Sequence, residues 1–191
     1  MGWPIPFCWH NYGNFRLVVL LKSLSLKYSL FVDSVTTKIA SIIRWAPILM
    51  VLTVVIVVIL RYLFSIGAIA IQELTMYLHG VLFLFSIPYG ISKNTHVRVD
   101  LVYSRLSPSR KNLIDTIGHS VFLIPVGLFI FFSSLPYAEA SWAMKERSSE
   151  VGGIPAIFAL KACVTIAGVL LTLQGISELL KNLSNQTNST G

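Results

Sequence analysis

Four long apolar stretches dominate the pattern of hydrophobic and polar positions along the chain. We predict helices at about 42–64, 66–92, 116–138 and 155–180. Each stretch is long enough to cross the hydrocarbon core of a bilayer, which takes roughly 17 to 25 helical residues. The pattern therefore predicts an all-α membrane protein with four transmembrane helices.

The segment before the first of these stretches is amphipathic. At 17–32, leucines and aromatic residues recur at helical spacing, although part of this run also alternates in the manner of a strand. We predict a helix that lies in the membrane interface. The chain then divides into an N-terminal tail and interfacial segment (1–32), a four-helix transmembrane domain (33–182) and a disordered polar tail (183–191).

The composition excludes a soluble globular protein. Hydrophobic residues make up 54% of the chain and charged residues only 12%, whereas a soluble domain carries about 25% charged residues. The same proportions exclude a disordered chain, which is poor in apolar residues. The net charge of +7 does not indicate a nucleic acid partner, because the basic residues lie in short segments between the apolar stretches. We predict a lipid bilayer as the surroundings and no nucleic acid as a partner.

The basic residues are divided unequally between the two ends of the predicted bundle. The N-terminal flank, the loop at 93–111 and the C-terminal tail carry most of them, and the opposite end has only Arg61, Lys145 and Arg147. Cytoplasmic flanks of membrane proteins collect Lys and Arg. We therefore predict a multi-pass protein with both termini in the cytoplasm.

Charged side chains inside the apolar stretches are candidate functional residues, because each costs about 2.5 to 3.5 kcal/mol at the bilayer centre on insertion scales. A turn at Ser65 to Gly67 would bring Arg61 close to Glu73. Three interpretations of Glu73 stay open: an ion pair with Arg61, a contact with a second membrane subunit, or a proton or ion site. Lys161 lies about 9 Å into the fourth helix. It either snorkels to the interface or pairs with a carboxylate across a subunit contact.

Side-chain sets typical of catalysis or of cofactor binding are absent from the sequence. Cys8 and Cys163 are far apart and form no disulfide framework. His79 and His119 differ in depth by about 15 Å, so they do not suit one haem iron. No Ser/His/Asp set, phosphate-binding loop or metal-spaced cluster is present. We predict no enzymatic activity and no cofactor, catalytic or metal site.

The run HVRVD at 96–100 follows the second helix, and its alternation places His96, Arg98 and Asp100 in what is otherwise a solvated interfacial turn. Together with other segments, it closely resembles the small membrane subunit (DctQ-like) of TRAP transporters, the tripartite ATP-independent periplasmic carriers. The resemblance covers about 33–182. The other segments that carry it are Arg61-Tyr62, Glu73 and Ser149-Glu150-Val151-Gly152-Gly153-Ile154-Pro155.

The resemblance implies a role in transport across the bacterial inner membrane. In this family a periplasmic solute-binding protein captures the solute, and a large multi-helix membrane subunit moves it with a sodium gradient. The small subunit braces the large one, so sodium coupling is expected in the partner subunit, and the solutes are expected to be small organic molecules such as carboxylates. The stretch GGIP at 152–155 and Lys161 are most similar to the branch labelled for mannitol or chloroaromatic solutes. The resemblance leaves six candidate structural or subunit-interface residues: Arg61, Glu73, His96, Arg98, Asp100 and Lys161.

Two alternatives of other classes stay open, a self-contained four-helix channel and a membrane redox protein. A channel needs a continuous polar stripe along its interior. The polar residues of the apolar stretches instead lie at scattered depths, as Thr53, Gln72, His79 and Gln174 show. A redox protein needs a cofactor site, which the sequence does not indicate.

Overall fold

The computed structural model describes residues 11–93 and 106–189. These residues form helices and no strand, and four helical segments are long and apolar enough to cross a membrane. The predicted fold class is therefore confirmed. The helices are α1 (Asn11–Ile43), α2 (Ala46–Leu63), α3 (Ile69–Ser92), α4 (Pro108–Ile117), a π-helical turn (Gly118–Leu123), α5 (Ile124–Met144) and α6 (Ile157–Ser189).

The first apolar stretch is shared between two helices. A short turn at Arg44 and Trp45 separates α1 from α2, and Pro47 lies in the first turn of α2. Proline has no N–H, and its ring clashes with the carbonyl group four residues earlier, so α1 cannot continue through this position. At the other end, α1 is longer than the predicted segment at 17–32, because no glycine or proline interrupts the chain from Asn14 to Ala46. The helical interpretation of this segment is confirmed over the strand.

A tight turn joins α2 to α3, as the sequence predicts. Ser65 takes the left-handed conformation with φ of 56°, and the N–H of Ile66 donates to the carbonyl of Leu60. The two helices also share a hydrogen bond between the hydroxyl groups of Thr53 and Thr75, with the oxygens 2.8 Å apart. The hairpin is therefore held at its turn and by a polar contact within the membrane-spanning part.

The third helical segment is longer than predicted and changes its helix type. The prediction is 116–138, whereas α4, the π-helical turn and α5 run without a break from Pro108 to Met144. Pro125 is the second residue of α5, just after the π-helical turn. Because proline removes one helical hydrogen bond, the wider turn before it lets the chain pass this position within one helical segment.

The last helix corrects the predicted disordered tail. α6 begins at Ile157, close to the predicted start, but continues to Ser189 instead of ending near 180. The tail predicted to be disordered from 183 is therefore helical as far as this residue. No glycine or proline occurs between Ile176 and Thr190, so nothing in the backbone ends the helix earlier.

The closest helix packing is between α5 and α6, where small residues let the two backbones approach. A Cβ atom added at Gly168 would lie 2.8 Å from the backbone nitrogen of Phe131, and one added at Gly127 would lie 2.9 Å from that of Thr172. In a lipid environment, helix association depends on such packing and on interhelical hydrogen bonds. Ser134 and Thr165 supply one such bond, with their hydroxyl oxygens 2.9 Å apart.

We expect Gly168→Val to destabilise the bundle by about 2 to 3 kcal/mol, because the added side chain would meet backbone atoms that cannot move independently. The melting temperature of the purified protein in detergent measures this effect. Gly118→Ala is the matched control, since a Cβ atom there meets no other atom within 4 Å. A melting temperature of Gly168→Val equal to that of the control would contradict the close approach of α5 and α6.

Candidate functional site

The bundle has two chemically different ends. The hairpin end holds the α2–α3 turn and the loop at 145–156. The basic end holds the start of α2, the end of α3, the start of α4 and the end of α6, with the basic residues Arg44, Lys93, Arg110, Lys111 and Lys181. The sequence-predicted residues Arg61, Glu73 and Lys161 lie near the hairpin end, whereas His96, Arg98 and Asp100 lie outside the described residues.

Glu73 anchors the loop of the hairpin end to α3. One of its carboxylate oxygens accepts a hydrogen bond from the hydroxyl of Ser148, and the other accepts one from the N–H of Ile154 at 2.6 Å. Carboxylate acceptors of this kind form stronger hydrogen bonds than neutral ones. The loop between α5 and α6 is thus attached to the first turns of α3 rather than only to its own flanking helices.

The double-glycine stretch before α6 has a steric role in this contact. A Cβ atom added at Gly153 would lie 2.7 Å from the Oε1 atom of Glu73 and would also overlap Ser148. With any other residue at this position, the side chains of Glu73 and Ser148 would have to shift from the arrangement in which the carboxylate accepts from Ile154. The segment at 149–155, which carries part of the family resemblance, therefore supplies both the space and one of the hydrogen-bond donors for Glu73.

The ion pair between Glu73 and Arg61 is not formed. Within the described residues no carboxylate lies within ion-pair distance of Arg61, and both oxygens of Glu73 have other partners. Arg61 is exposed and borders a recess of about 350 Å³ with Gln72. Because Gln72 and Glu73 are neighbours in α3, their side chains point about 100° apart around the helix. Arg61 therefore lies on a different face from the one that binds the loop.

Lys161 pairs with a carboxylate of its own chain. Its Nζ atom lies 2.5 Å from the Oε2 atom of Glu146 and 3.9 Å from the centre of the Tyr137 ring, and its side chain is 15% exposed. The sequence leaves open either a snorkelling lysine or a carboxylate partner across a subunit contact. The structure gives a partner, but within the same chain.

The end of α5 places Glu146 next to this lysine. Lys145 has φ of 47°, its N–H donates to the carbonyl of Trp142, and the N–H of Glu146 donates to the carbonyl of Ser141. These two bonds form a Schellman motif, which reverses the chain direction after a helix. Glu146 is therefore fixed to the backbone of α5 while its side chain binds α6.

We expect the pair to contribute stability that depends on pH. The hydrogen bond from Lys161 holds the pKa of Glu146 below its ordinary value of 4.5. A carboxyl group with a lowered pKa in the folded state stabilises the fold above its unfolded pKa, and this contribution disappears as the pH falls through the folded-state value. The native protein should melt at a higher temperature than Glu146→Gln at pH 7, and the difference should shrink progressively as the pH is lowered below the ordinary pKa of 4.5. A difference that stays constant across this range would contradict the pair.

A second polar cluster joins α1 to α6 near the basic end. The amide nitrogen of Gln174 donates to Asp33 at 2.9 Å and to Glu178 at 3.0 Å. Lys181 donates to the same two carboxylates, at 2.7 Å in each case. Gln174 is fully buried. Four polar side chains thus form a closed network in which one lysine faces two carboxylates.

Sequence reasoning missed this cluster and the partners of Glu73 and Lys161. Gln174, Glu178 and Lys181 share one helix face by their spacing, which is a signal available in the sequence. Their partner Asp33 is on a helix more than a hundred residues away, and no periodicity predicts such a pairing. Ser148 and Glu146 lie in or beside a loop, where a sequence pattern gives no direction to a side chain.

A comparison with known families decides the identity of this bundle. The sequence model of the family described as tripartite ATP-independent periplasmic transporters, DctQ component, matches residues 50–185, which is more than two thirds of the chain. The chain belongs to the DctQ family. The resemblance to this family is therefore confirmed, and the narrower resemblance to the mannitol or chloroaromatic branch stays a prediction. No curated protein and no solved structure matches the chain.

Membership of the DctQ family explains the arrangement of the molecule at a coarse level. The protein is the small component of a TRAP transporter, and DctQ proteins are transporter subunits rather than a family of enzymes. Its four apolar helical segments agree with a multi-pass membrane protein. The family match begins within α2 and ends in α6, so it includes the Glu73 contact and the Lys161 pair but not α1.

Proposed function

We propose that this DctQ protein braces the large membrane subunit of a TRAP transporter. In this proposal a periplasmic binding protein captures a small organic solute, with carboxylates as the expected class, and the large subunit moves it with a sodium gradient. The sodium site lies in the large subunit, and the DctQ protein itself needs no cofactor. Its contribution is a fixed surface in the membrane against which the large subunit works.

The observation that supports this proposal most directly is the use of charged side chains to hold the helices and the loop at 145–156 together. Glu73 holds the loop at 145–156, Lys161 holds Glu146, and Lys181 holds Asp33. A conducting pathway would leave such groups facing water or a solute. In this bundle they bond to other groups of the same chain instead, which suits a static scaffold.

We further propose that the basic end faces the cytoplasm and that the membrane is the bacterial inner membrane. The start of α4 carries Arg110 and Lys111, Lys93 directly follows α3, and Lys181 lies in the last third of α6. Cytoplasmic ends of membrane helices are enriched in such residues. Both chain termini are then cytoplasmic, and the loop held by Glu73 faces the periplasm, where the binding protein approaches.

The candidate interface residues divide into two groups in this proposal. Arg61 is exposed without a carboxylate partner among the described residues, so it is available to a subunit at the hairpin end. His96, Arg98 and Asp100 are assigned to subunit contacts at the basic end on the family resemblance. Lys161 and Glu73 already have partners within the chain, so we assign both to the internal structure of the brace.

Affinity purification from native membranes tests the brace. The tagged chain, extracted in mild detergent, should recover a larger multi-helix membrane protein in near-equal amount. Vesicles that contain both subunits, supplied with the loaded binding protein, should take up solute only with an inward sodium gradient. Vesicles that contain the DctQ protein alone should show no flux. A chain recovered alone that conducts solute by itself would replace the proposal with a self-contained channel.

A further inference from the structure

A groove of about 600 Å³ opens between α3, the π-helical turn and the helices that follow it. Its walls are apolar except for Asp115 and His119 at one end. Gly118 lies on its wall, and a Cβ atom there would meet no other atom within 4 Å. The apolar side chains that shape the groove include Ile87, Ile91, Phe122, Val126, Ile130 and Leu171.

The length of the groove matches one leaflet of a bilayer. From Asp115 to Ile130 the helical segment rises by about 22 Å, and half of a bilayer, with its headgroup region, measures about 20 to 22 Å. Just past Ile130, Gly168 of α6 lies against the backbone of Phe131 in α5 and closes the space between the two helices. A transmembrane helix of a partner extends along the full hydrocarbon thickness of about 30 Å. The groove is too short for such a helix and fits a single lipid.

The groove has polar residues at one end and apolar residues along the rest of its length, as a phospholipid has a polar headgroup and apolar acyl chains. Asp115 and His119 lie towards the basic end, and the apolar wall extends from there into the bundle. The basic residues Lys93, Arg110 and Lys111 also lie at this end. They are not among the lining residues, but Arg110 and Lys111 precede the lining residues Ile114 and Asp115 by one helical turn. Basic residues beside a pocket between transmembrane helices attract anionic headgroups. Charge and apolar surface are therefore arranged in the order in which a phosphate and an acyl chain follow each other.

We propose that this groove is a binding site for one phospholipid of the leaflet at the basic end. An acyl chain lies along Phe122, Val126 and Leu171, and the phosphate lies near the basic residues at the start of α4. The π-helical turn contributes four of the lining residues, so the change of helix type before Pro125 shapes the site. This proposal does not depend on which solute the transporter carries.

Native mass spectrometry of the purified full chain, with its large subunit where it is recovered, tests the site. The probes are dioleoyl phosphatidylglycerol and dioleoylglycerol, which has the same acyl chains and no phosphate. Val126→Trp fills the groove, and Val121→Trp on the same segment is the matched control, because Val121 is similarly exposed and does not line the groove. Gly118→Leu fills the groove from another position if Val126→Trp fails to fold.

We expect one phosphatidylglycerol per native chain and the same for Val121→Trp. The groove-filling variants should bind it about tenfold more weakly, since they displace at least two buried methylene groups. Dioleoylglycerol should bind more weakly than phosphatidylglycerol to the native chain. Equal lipid retention by Val126→Trp and Val121→Trp, or no retained lipid in the native chain, would overturn the proposal. Loss of the large subunit with no change in bound lipid would overturn it as well, and would identify the groove as a protein interface.

Discussion

Glu73→Ala is expected to lower the free energy of unfolding by about 2 to 3 kcal/mol, because it leaves the hydroxyl of Ser148 and the N–H of Ile154 without their acceptor. The loop at 145–156 would then lose its attachment to α3. The loop belongs to the hairpin end, where we place a subunit contact at Arg61, so the recovery of the large subunit should also fall. Melting temperature in detergent and co-purification measure the two effects separately.

Two control variants show whether the effect of Glu73→Ala is specific to the contact with the loop. Glu139→Ala removes an exposed glutamate near the same end and should change stability by no more than about 0.5 kcal/mol. Arg61→Ala should leave stability unchanged as well, because Arg61 has no ion pair within the described residues. A loss of stability with Arg61→Ala equal to that with Glu73→Ala would support an ion pair between the two residues and would contradict the partners found for Glu73.

Gly153→Ala examines the same contact from the side of the loop. The added methyl group would press on the Glu73 carboxylate, so this variant should resemble Glu73→Ala in melting temperature and in recovery of the large subunit. Its stability would match that of the native protein only if the Glu73 carboxylate could move without losing its donors. That outcome would show that the position of the loop does not depend on the contact with the Glu73 carboxylate.

The transmembrane helices could be predicted from the sequence because their surroundings impose a strong pattern. A segment in lipid must satisfy its own backbone groups and expose apolar side chains, which is why the charge-free run from Trp45 to Leu60 identifies α2 directly. The ends of helices depend on weaker effects. α5 extends beyond 138 because the chain turns only at Lys145, where a lysine adopts a conformation that usually requires glycine.

The contacts of the candidate site were predictable only in part. An ionisable residue in an apolar stretch needs a partner, so Glu73 and Lys161 could be selected from the sequence. The partners could not, because Ser148 and Glu146 reach them through loop and helix-end geometry. For Glu73, one of the three open interpretations is an ion pair with Arg61, the nearest basic residue along the chain, and this pair is not formed. The Glu73 side chain instead lies beside a backbone N–H more than eighty positions away.

The contact between α1 and α6 extends the scaffold beyond the part of the chain that matches the DctQ family. α1 presents a line of buried side chains, Ser29, Val32 and Thr36, at helical spacing. Ser29 donates to the carbonyl of Ser177, and Thr36 lies within hydrogen-bond distance of Gln174. The N-terminal helix is thus fixed to the last helix by polar contacts, which are directional, rather than by apolar burial alone. Lys181 has the central position in this attachment.

Lys181→Met should destabilise the protein by about 3 kcal/mol, because it leaves Asp33 and Glu178 facing each other without the cation between them. Hydrogen exchange in α1 should become faster, since α1 loses one of its attachments to α6. Lys38→Met is the matched control on the exposed side of α1 and should have no more than about 0.5 kcal/mol of effect. Thermal unfolding in detergent and exchange measured by mass spectrometry provide the two readouts.

The double variant Asp33→Asn with Lys181→Met distinguishes charge from packing. Asparagine keeps an oxygen to accept from Gln174 but removes one of the two negative charges, so stability should recover by at least about 1 kcal/mol relative to Lys181→Met alone. Faster exchange in α1 should be partly reversed by the same change. If the double variant were as unstable as Lys181→Met, the lysine would act through its aliphatic stem, and the attachment of α1 would depend on packing instead of on the balance of charges.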